Sequence, residues 1–186
     1  MNNRNLFFTA AIASLVLFSS CEKEDPIIPN EEELITTLNY TLTPTQGGKS
    51  IVLSFVDLDG DGGNPPVITG GTLVKNQTYT GSVGVFNESE NPKDDITQEI
   101  AKEDKEHQLF FQTNISGLSI KYNDVDGNGN PIGLITNATT GAAGSGILTI
   151  ILRHLPNKFA AGVASGNITN AGGETDIEVN FPISVQ

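Results

Sequence analysis

The sequence has no tryptophan, a single cysteine and few basic residues. One cysteine cannot form a disulfide within the chain. The 10 Lys and Arg residues stand against 22 Asp and Glu residues, a formal net charge of −12. This charge argues against nucleic acid as a partner and against an electrostatic hold on anionic lipid. Since only 6% of residues are aromatic, we expect a core of Val, Ile, Leu and Phe.

Motifs of the common enzyme classes are also missing. The sequence has no nucleophile elbow, no phosphate-binding loop and no dinucleotide fingerprint. No HxH or HExxH spacing marks a transition-metal site. The sequence therefore predicts a protein that is not an enzyme.

The first long apolar run, residues 6–18, follows Arg4. It is shorter than the about 20 apolar residues that span a bilayer, and it fits the centre of a secretory signal peptide. The segment 15–21, LVLFSSC, resembles the lipobox of bacterial lipoproteins, although Phe18 stands where leucine is usual. The resemblance implies that residues 1–20 are a signal peptide and that Cys21 is lipidated and anchors the protein. The alternative is an ordinary secretory signal followed by an unmodified cysteine.

Residues 21–33, CEKEDPIIPNEEE, hold six acids and two prolines and should form an extended tether. Acids directly after the lipidated cysteine resemble the signal that sends lipoproteins of the Bacteroidota to the outer face of the outer membrane. A plain linker is the alternative.

Residues 34–186 are predicted to form one β-domain. Short alternating segments bounded by Gly, Asn, Asp or Pro are typical of strands. They are LITTLNYTLTP, KSIVLSFVDLD, TYTGSVGVFNE, HQLFFQT, GLSIKYND, GSGILTIILRH and TDIEVNFPISV. Their number and spacing predict an all-β fold, an antiparallel β-sandwich of immunoglobulin-like type. One short helix is expected near 95–106, with Asp95 and Gln98 as a capping box.

Two similar loops, DLDGDGGNPP from Asp57 and DVDGNGNPIG from Asp124, suggest that the domain consists of two duplicated half-units. The alternative is independent use of common Asp-Gly and Asn-Gly turns. Both loops match the first half of a calcium-binding EF-hand loop, which has oxygen ligands at positions 1, 3 and 5 and glycine at 6. The candidate calcium ligands are Asp57, Asp59 and Asp61 in the first loop and Asp124, Asp126 and Asn128 in the second. Each loop has isoleucine, Ile68 or Ile135, where the EF-hand has its bidentate glutamate, so simple glycine-rich turns remain the alternative.

The two histidines, His107 and His154, each lie near the end of a predicted strand. Together with Glu103 or Glu106 they could hold zinc, copper or iron, because imidazole is a common ligand of these ions. Two histidines without a metal are the alternative.

The mature chain resembles small acidic lipoproteins of flavobacteria in SFVDLDGDGG, EHQLFF, LRHLPNK and GGETDIEVNFP. Such proteins are thought to sit beside TonB-dependent outer-membrane receptors. The resemblance implies a lipid-anchored outer-membrane protein that faces the cell exterior, with the periplasmic face as the alternative. We expect a non-enzymatic binding or accessory module for nutrient or metal uptake with an outer-membrane receptor as partner. The alternative is a structural or adhesive surface protein without a small-molecule ligand.

Overall fold

Two β-sheets packed face to face make up the part of the chain that the computed structural model describes, residues 34–60 and 62–186. These residues belong to one compact unit, Glu32–Gln186. The predicted signal peptide, Cys21 and the tether lie outside the described residues, and so does Asp61. In the described part, no helix has the length and apolar character needed to cross a membrane.

Ten strands and one α-helix form the domain. In chain order the strands are β1 (Thr37–Pro44), β2 (Ile51–Val56), β3 (Val67–Thr69), β4 (Gly71–Leu73), β5 (Thr78–Phe86), β6 (His107–Thr113), β7 (Ser119–Tyr122), β8 (Ile135–Thr139), β9 (Gly144–His154) and β10 (Glu174–Val185). Sheet A has the order β3-β2-β1-β5-β8-β7, and sheet B has the order β4-β10-β9-β6. The predicted β-sandwich is confirmed. The sheets are antiparallel except for the pairing of β4 with β10, which is parallel.

The core follows from the alternation of side chains along the strands. In β1, Leu38, Tyr40 and Leu42 point inward, and all three are almost fully buried. Leu148 and Ile150 of sheet B join them in one apolar cluster. The expected core of aliphatic residues is present, with two buried tyrosines added to it.

The helix is shorter than predicted. α1 spans Ile96–Lys102, and Ile96 and Ile100 bury its inner face as expected. Asp95 occupies the N-cap position, but its side chain makes no capping hydrogen bond to the backbone. Instead, Gln98 Nε2 donates to the Asp95 carboxylate at 2.7 Å. The predicted capping box therefore forms only between the two side chains.

The strand order does not place the two predicted half-units in equivalent positions. The first Asp loop joins β2 to the edge strand β3, whereas the second joins the edge strand β7 to β8. β5 and β9, the long strands that come after the first and the second loop, lie in different sheets. The two loops are hairpin connections at opposite edges of sheet A. The order of the strands does not repeat between the two proposed half-units.

A long connection covers part of the outer face of sheet B. Residues 155–173 contain two short 3₁₀ helices, Val163–Ser165 and Ile168–Asn170. Val163 and Ala171 pack there on Phe110 and Ile151 of the sheet. The segment also carries Lys158, which reaches the second Asp loop.

Candidate functional site

The first Asp loop follows β2 and is held by its own acids. Asp57 Oδ1 accepts a hydrogen bond from the Gly60 amide at 3.1 Å. Asp59 Oδ2 accepts from the Asn64 backbone amide at 2.9 Å and from its side-chain amide at 2.7 Å. These bonds from Asn64 hold the pKa of the exposed Asp59 carboxyl below its usual range. The two predicted calcium ligands that the structure describes here therefore serve as turn-forming acceptors.

The second Asp loop is held in the same way, but more completely. Asp124 accepts from the Gly133 amide at 2.8 Å and from the Ile135 amide at 2.9 Å. Asp126 Oδ1 accepts from two backbone amides of the loop, those of Asn128 at 2.8 Å and Asn130 at 2.9 Å. Asn128 thus contributes its backbone to the loop.

Lys158 supplies this loop with a cation of its own. Its Nζ lies 3.2 Å from Asp126 Oδ2 and 3.0 Å from the Pro131 carbonyl oxygen, and it also donates to the Asp104 carbonyl. An ammonium group has three donors, so all of them are used. The Lys158 and Asp126 side chains are 3% and 0% exposed. The second loop is therefore closed around an internal positive charge.

Burial affects the pKa values of both Lys158 and Asp126. Burial lowers the pKa of Lys158, and the Asp126 carboxylate offsets only part of this effect. Burial by itself would raise the pKa of Asp126, but the amides of Asn130 and Asn128 and the Lys158 ammonium outweigh it and keep that pKa below its ordinary value.

Calcium binding by either loop stays a prediction. Within residues 34–60 and 62–186, no group of three or more His, Cys, Asp or Glu side chains has an arrangement suited to a metal ion. Asp61, the third candidate of the first loop, falls between these ranges. In the second loop, Lys158 takes oxygens that a calcium ion would otherwise use.

The two histidines meet, as the sequence suggested, in the form of a stacked pair. β6 and β9 place His107 directly opposite His154. Their ring centroids are 4.8 Å apart, and the rings are inclined by only 15°. Stacked rings direct their nitrogen lone pairs along parallel planes, whereas a shared metal needs both lone pairs to converge at about 2 Å. The arrangement favours a packing contact over a metal centre.

The histidine pair lies inside the protein. His107 is 5% exposed and His154 is 7% exposed. His107 Nδ1 lies 3.9 Å from Glu103 Oε2. Burial, and then the neighbouring His154, lower the pKa of His107, and Glu103 and Glu106 oppose this only in part.

A feature that the sequence analysis missed is the separation of charge along the sandwich. We call the end at which β1 begins the proximal end and the opposite end the distal end. The described acids lie in the proximal connections and the first five residues of β10: Asp57, Asp59, Glu88, Glu90, Asp94, Asp95, Glu99, Glu103, Asp104, Glu106, Asp124, Asp126, Glu174, Asp176 and Glu178. The distal connections, 45–50, 74–77, 114–118 and 140–143, hold no acid and contain Lys49 and Lys75.

No outward-pointing strand residue of sheet A is acidic, although Glu88 of the connection after β5 reaches the proximal edge of this face, where its carboxylate accepts a hydrogen bond from the Thr37 hydroxyl at 3.0 Å. Strand alternation and register bring together on this face Thr37, Asn39, Thr41 and Thr43 of β1, Val52, Ser54 and Val56 of β2, Val67 and Thr69 of β3, Thr78, Thr80, Ser82, Gly84 and Phe86 of β5, Ser119 and Lys121 of β7, and Ile135, Asn137 and Thr139 of β8. We call this set the acid-free face. Its one charged residue, Lys121, lies on an edge strand. Among the exposed large apolar side chains are Val52, Val67 and Ile135 of this face, at 46%, 66% and 37%.

A groove opens at the proximal corner of the acid-free face, where β8 leaves β5. The Val83 amide still donates to the Leu134 carbonyl at 2.9 Å. Farther along β5, the Thr97 hydroxyl of α1 replaces a neighbouring strand, because it accepts from the Val85 amide at 2.8 Å and donates to the Val85 carbonyl at 3.0 Å. The gap between them has a volume of about 590 Å³ and is mainly apolar. Its lining includes Val83, Phe86, Ala101, Ile132 and Leu134, and also two acids, Asp95 and Asp124.

Comparisons with known proteins give no family for this chain. No protein-family model matches it, and no curated protein matches it significantly. Among solved structures, domains 4 and 5 of the S-layer protein SbsC are similar to it at 15% sequence identity and a TM-score of 0.29, over 78% of this chain and 75% of that one. Similarity at this level supports no inference about function.

Proposed function

We propose that this protein is a non-enzymatic binding module, anchored through Cys21 to the outer membrane and facing the cell exterior, that acts as an accessory component of an uptake system. The acid-free face, with the groove at its proximal corner, is its contact surface. The observation that carries this proposal is that no outward-pointing strand residue of sheet A is Asp or Glu, in a chain with 22 of them.

The charge distribution bears on how an anchored domain would stand relative to the lipid. The proximal end, where the chain continues to the acidic segment 21–33, is also the acidic end of the sandwich. An anionic membrane surface repels acids, so this end is held away from the lipid. The acid-free face runs along the sandwich from the proximal to the distal end and is therefore open to a neighbour on the same membrane.

The shape and chemistry of the face fit a protein partner. Hydroxyl and amide side chains alternate there with exposed β-branched residues, and charged side chains are depleted in the centres of protein interfaces. A surface for sugar stacking would need open aromatic rings, but the ring of Phe86 is covered by Lys93, whose Nζ lies 4.0 Å from the ring centroid. The face therefore favours protein contacts over glycan binding.

Site-specific photocrosslinking in intact cells tests the proposal. A photoreactive residue replaces Thr41, at the centre of the acid-free face, or Thr72, an exposed threonine of sheet B. We expect crosslinked protein from position 41 and little from position 72. Equal crosslinking at both positions, or none at position 41, would remove the acid-free face as the contact surface. In the same cells, Cys21→Ser should release the protein from the membrane fraction.

A structural or adhesive surface protein is the second candidate, because the flatness of the acid-free face suits it. The groove favours the first proposal, because binding sites are typically concave and mostly apolar. Cells that lack the protein distinguish the two candidate functions. Loss of cell attachment with unchanged nutrient uptake would support the adhesive function.

A further inference from the structure

We propose that the groove at the proximal corner of the acid-free face binds an arginine side chain of the protein partner. The guanidinium of this arginine binds the carboxylates of Asp95 and Asp124, and its aliphatic stem lies on the apolar lining. The inference rests on the proposed function and names the chemistry that the partner presents. Among the described residues that line the groove, the charged ones are these two acids, so the groove is complementary to a cation with an apolar stem.

Both carboxylates are held in place by the chain itself. Asp124 accepts hydrogen bonds from the amides of Gly133 and Ile135, at 2.8 Å and 2.9 Å. Asp95 accepts a hydrogen bond from the side-chain amide of Gln98 at 2.7 Å. Binding groups that are fixed in advance lose little conformational freedom when a ligand arrives. The two acids therefore form a preorganised pair of acceptors.

The two acids have acceptor capacity left and no cation of their own. An ionised carboxylate offers about four lone-pair sites, and the hydrogen bonds above fill two at Asp124 and one at Asp95. Within residues 34–60 and 62–186, no Lys, Arg or His forms an ion pair with either acid. Lys93 contacts Glu88 and the ring of Phe86 instead. A cation of the partner can therefore bind here without displacing one that belongs to the chain.

The apolar lining selects a cation with a long stem. Ile132 and Leu134 line the groove and also belong to the core cluster, so this part of the lining is held from behind. A compact ammonium or metal ion would lose water here without using the apolar surface, whereas the aliphatic stem of arginine covers it. The planar guanidinium has five N–H donors in a fixed fork that matches carboxylates. Arginine is also enriched in protein interfaces, where lysine is depleted.

The place of the groove within the contact surface suits a charged contact. Charged side chains are depleted at the centre of an interface, and the rim is polar. The groove lies at a corner of the acid-free face, so an arginine bound there belongs to the rim. Complementary charges at such a position speed the encounter of the partners and fix their register.

An NMR titration with a blocked Ala-Arg-Ala peptide tests the groove. The protein is residues 22–186, which include the whole compact unit Glu32–Gln186. The matched probe carries citrulline in place of arginine, which keeps the shape and removes the charge. We expect the arginine peptide to shift the signals of Ala101, Ile132 and Leu134. The citrulline peptide should bind at least about tenfold more weakly, because hydrogen bonds between charged groups are lost.

Two groove variants and one control locate the binding. Asp95→Asn keeps the shape of the side chain and removes its charge, and it should weaken binding of the arginine peptide about tenfold. Ala101→Leu enlarges an exposed side chain of α1 that lines the groove, and it should weaken binding while both acids remain. Glu178→Gln, at an exposed position of β10, removes the same charge outside the groove and should leave the affinity unchanged.

Equal binding of the two peptides, or no binding of either at millimolar concentration, would overturn the inference. Equal effects of Asp95→Asn and Glu178→Gln would also overturn it, because the peptide would then respond only to net charge.

Crosslinking in intact cells connects the groove to the partner and keeps the two proposals separable. With the photoreactive residue at position 41, Asp95→Asn and Ala101→Leu should each lower the yield of crosslinked partner, and Glu178→Gln should not. An undiminished yield in both groove variants would reject the groove and uphold the acid-free face. If position 41 gives no crosslinks, the proposed function fails, and arginine-selective binding to the groove would then stand by itself.

Discussion

Replacing Lys158 by methionine should destabilise the domain strongly, although the residue lies on an irregular surface segment. Methionine keeps most of the volume of the side chain and removes its charge. The change leaves the buried Asp126 carboxylate without its counterion, and it leaves the carbonyls of Pro131 and Asp104 without this donor.

The expected loss is about 3 kcal/mol. Breaking a buried ion pair by removing one partner costs roughly 3–5 kcal/mol. The lower end applies here, because Asp126 Oδ1 keeps the amides of Asn128 and Asn130. Domains of this kind are stable by about 5–15 kcal/mol, so Lys158→Met should still fold. In this variant burial is no longer opposed by an ammonium, and the pKa of Asp126 rises. The loss should therefore be largest at neutral pH and shrink as the pH falls through that raised pKa.

Urea unfolding followed by far-ultraviolet circular dichroism measures this loss as a shift of the midpoint at constant slope. Lys75→Met, at the exposed distal end, is the matched control and should stay within about 0.5 kcal/mol of the native protein. Adding Asp126→Asn to Lys158→Met removes the uncompensated charge and should recover part of the stability. If Lys158→Met is no worse than Lys75→Met, the internal cation does not hold the second loop.

Three further predictions concern the histidine pair, the first Asp loop and a close contact in the core. Because the pKa of His107 is lowered in the folded state, the unfolded chain binds more protons below about pH 6.5. The stability of the domain should therefore fall as the pH drops from about 6.5 through the pKa of His107 in the folded state. Urea midpoints at pH 7.5 and 5.5 measure this loss, which should be smaller in His107→Phe. If the first loop binds calcium, the melting temperature of residues 22–186 should rise by several degrees over that in chelator, since a ligand at one hundred times its dissociation constant adds about 2.7 kcal/mol; an unchanged melting temperature would reduce the loop to a turn. Gly81→Ala should cost about 1–3 kcal/mol by overpacking, because its Cβ would overlap the hydroxyls of Tyr40 and Thr136, which bond to each other at 2.7 Å. Gly144→Ala, where a Cβ meets open space, is its control in the same urea titration.

The long strands could be predicted because their side chains alternate between core and solvent. HQLFFQT and GSGILTIILRH coincide with β6 and β9 residue for residue. The missed strands, β3, β4 and β8, have three to five residues each. A three-residue strand shows no period, and the ends of β3 and β4 are set by a tertiary contact. The chain crosses from sheet A to sheet B at Gly70, where a Cβ would overlap the Pro182 carbonyl.

The Asp loops were located correctly, but their electrostatics could not be read from local sequence. Alternating acids and glycines predict a turn whose carboxylates accept backbone amides or bind a cation. Only the fold shows that Lys158, 32 residues from Asp126, supplies that cation in the second loop. The two loops are close in sequence pattern, but only in the second does an ammonium group contact one of the described acids. A calcium test that treats them as equivalent would therefore be misread: only the first loop lacks an ammonium among its described contacts.

The net charge alone does not show how the acids are distributed, and the proposed contact surface rests on that distribution. A value of −12 describes a protein that should repel its own copies. The repulsion depends on where the acids lie, and the register of sheet A leaves none of them at the outward-pointing strand positions of one face. A two-residue period is enough to do this. The acids follow Val56, Phe86 and Tyr122, the last residues of three strands that end on the same side. The outward positions within those strands carry Val, Ser, Thr, Gly, Phe or Lys. A one-residue slip of β1 would bury Thr41 and expose Tyr40 and Leu42, so the same alternation that builds the core also keeps the outer face neutral.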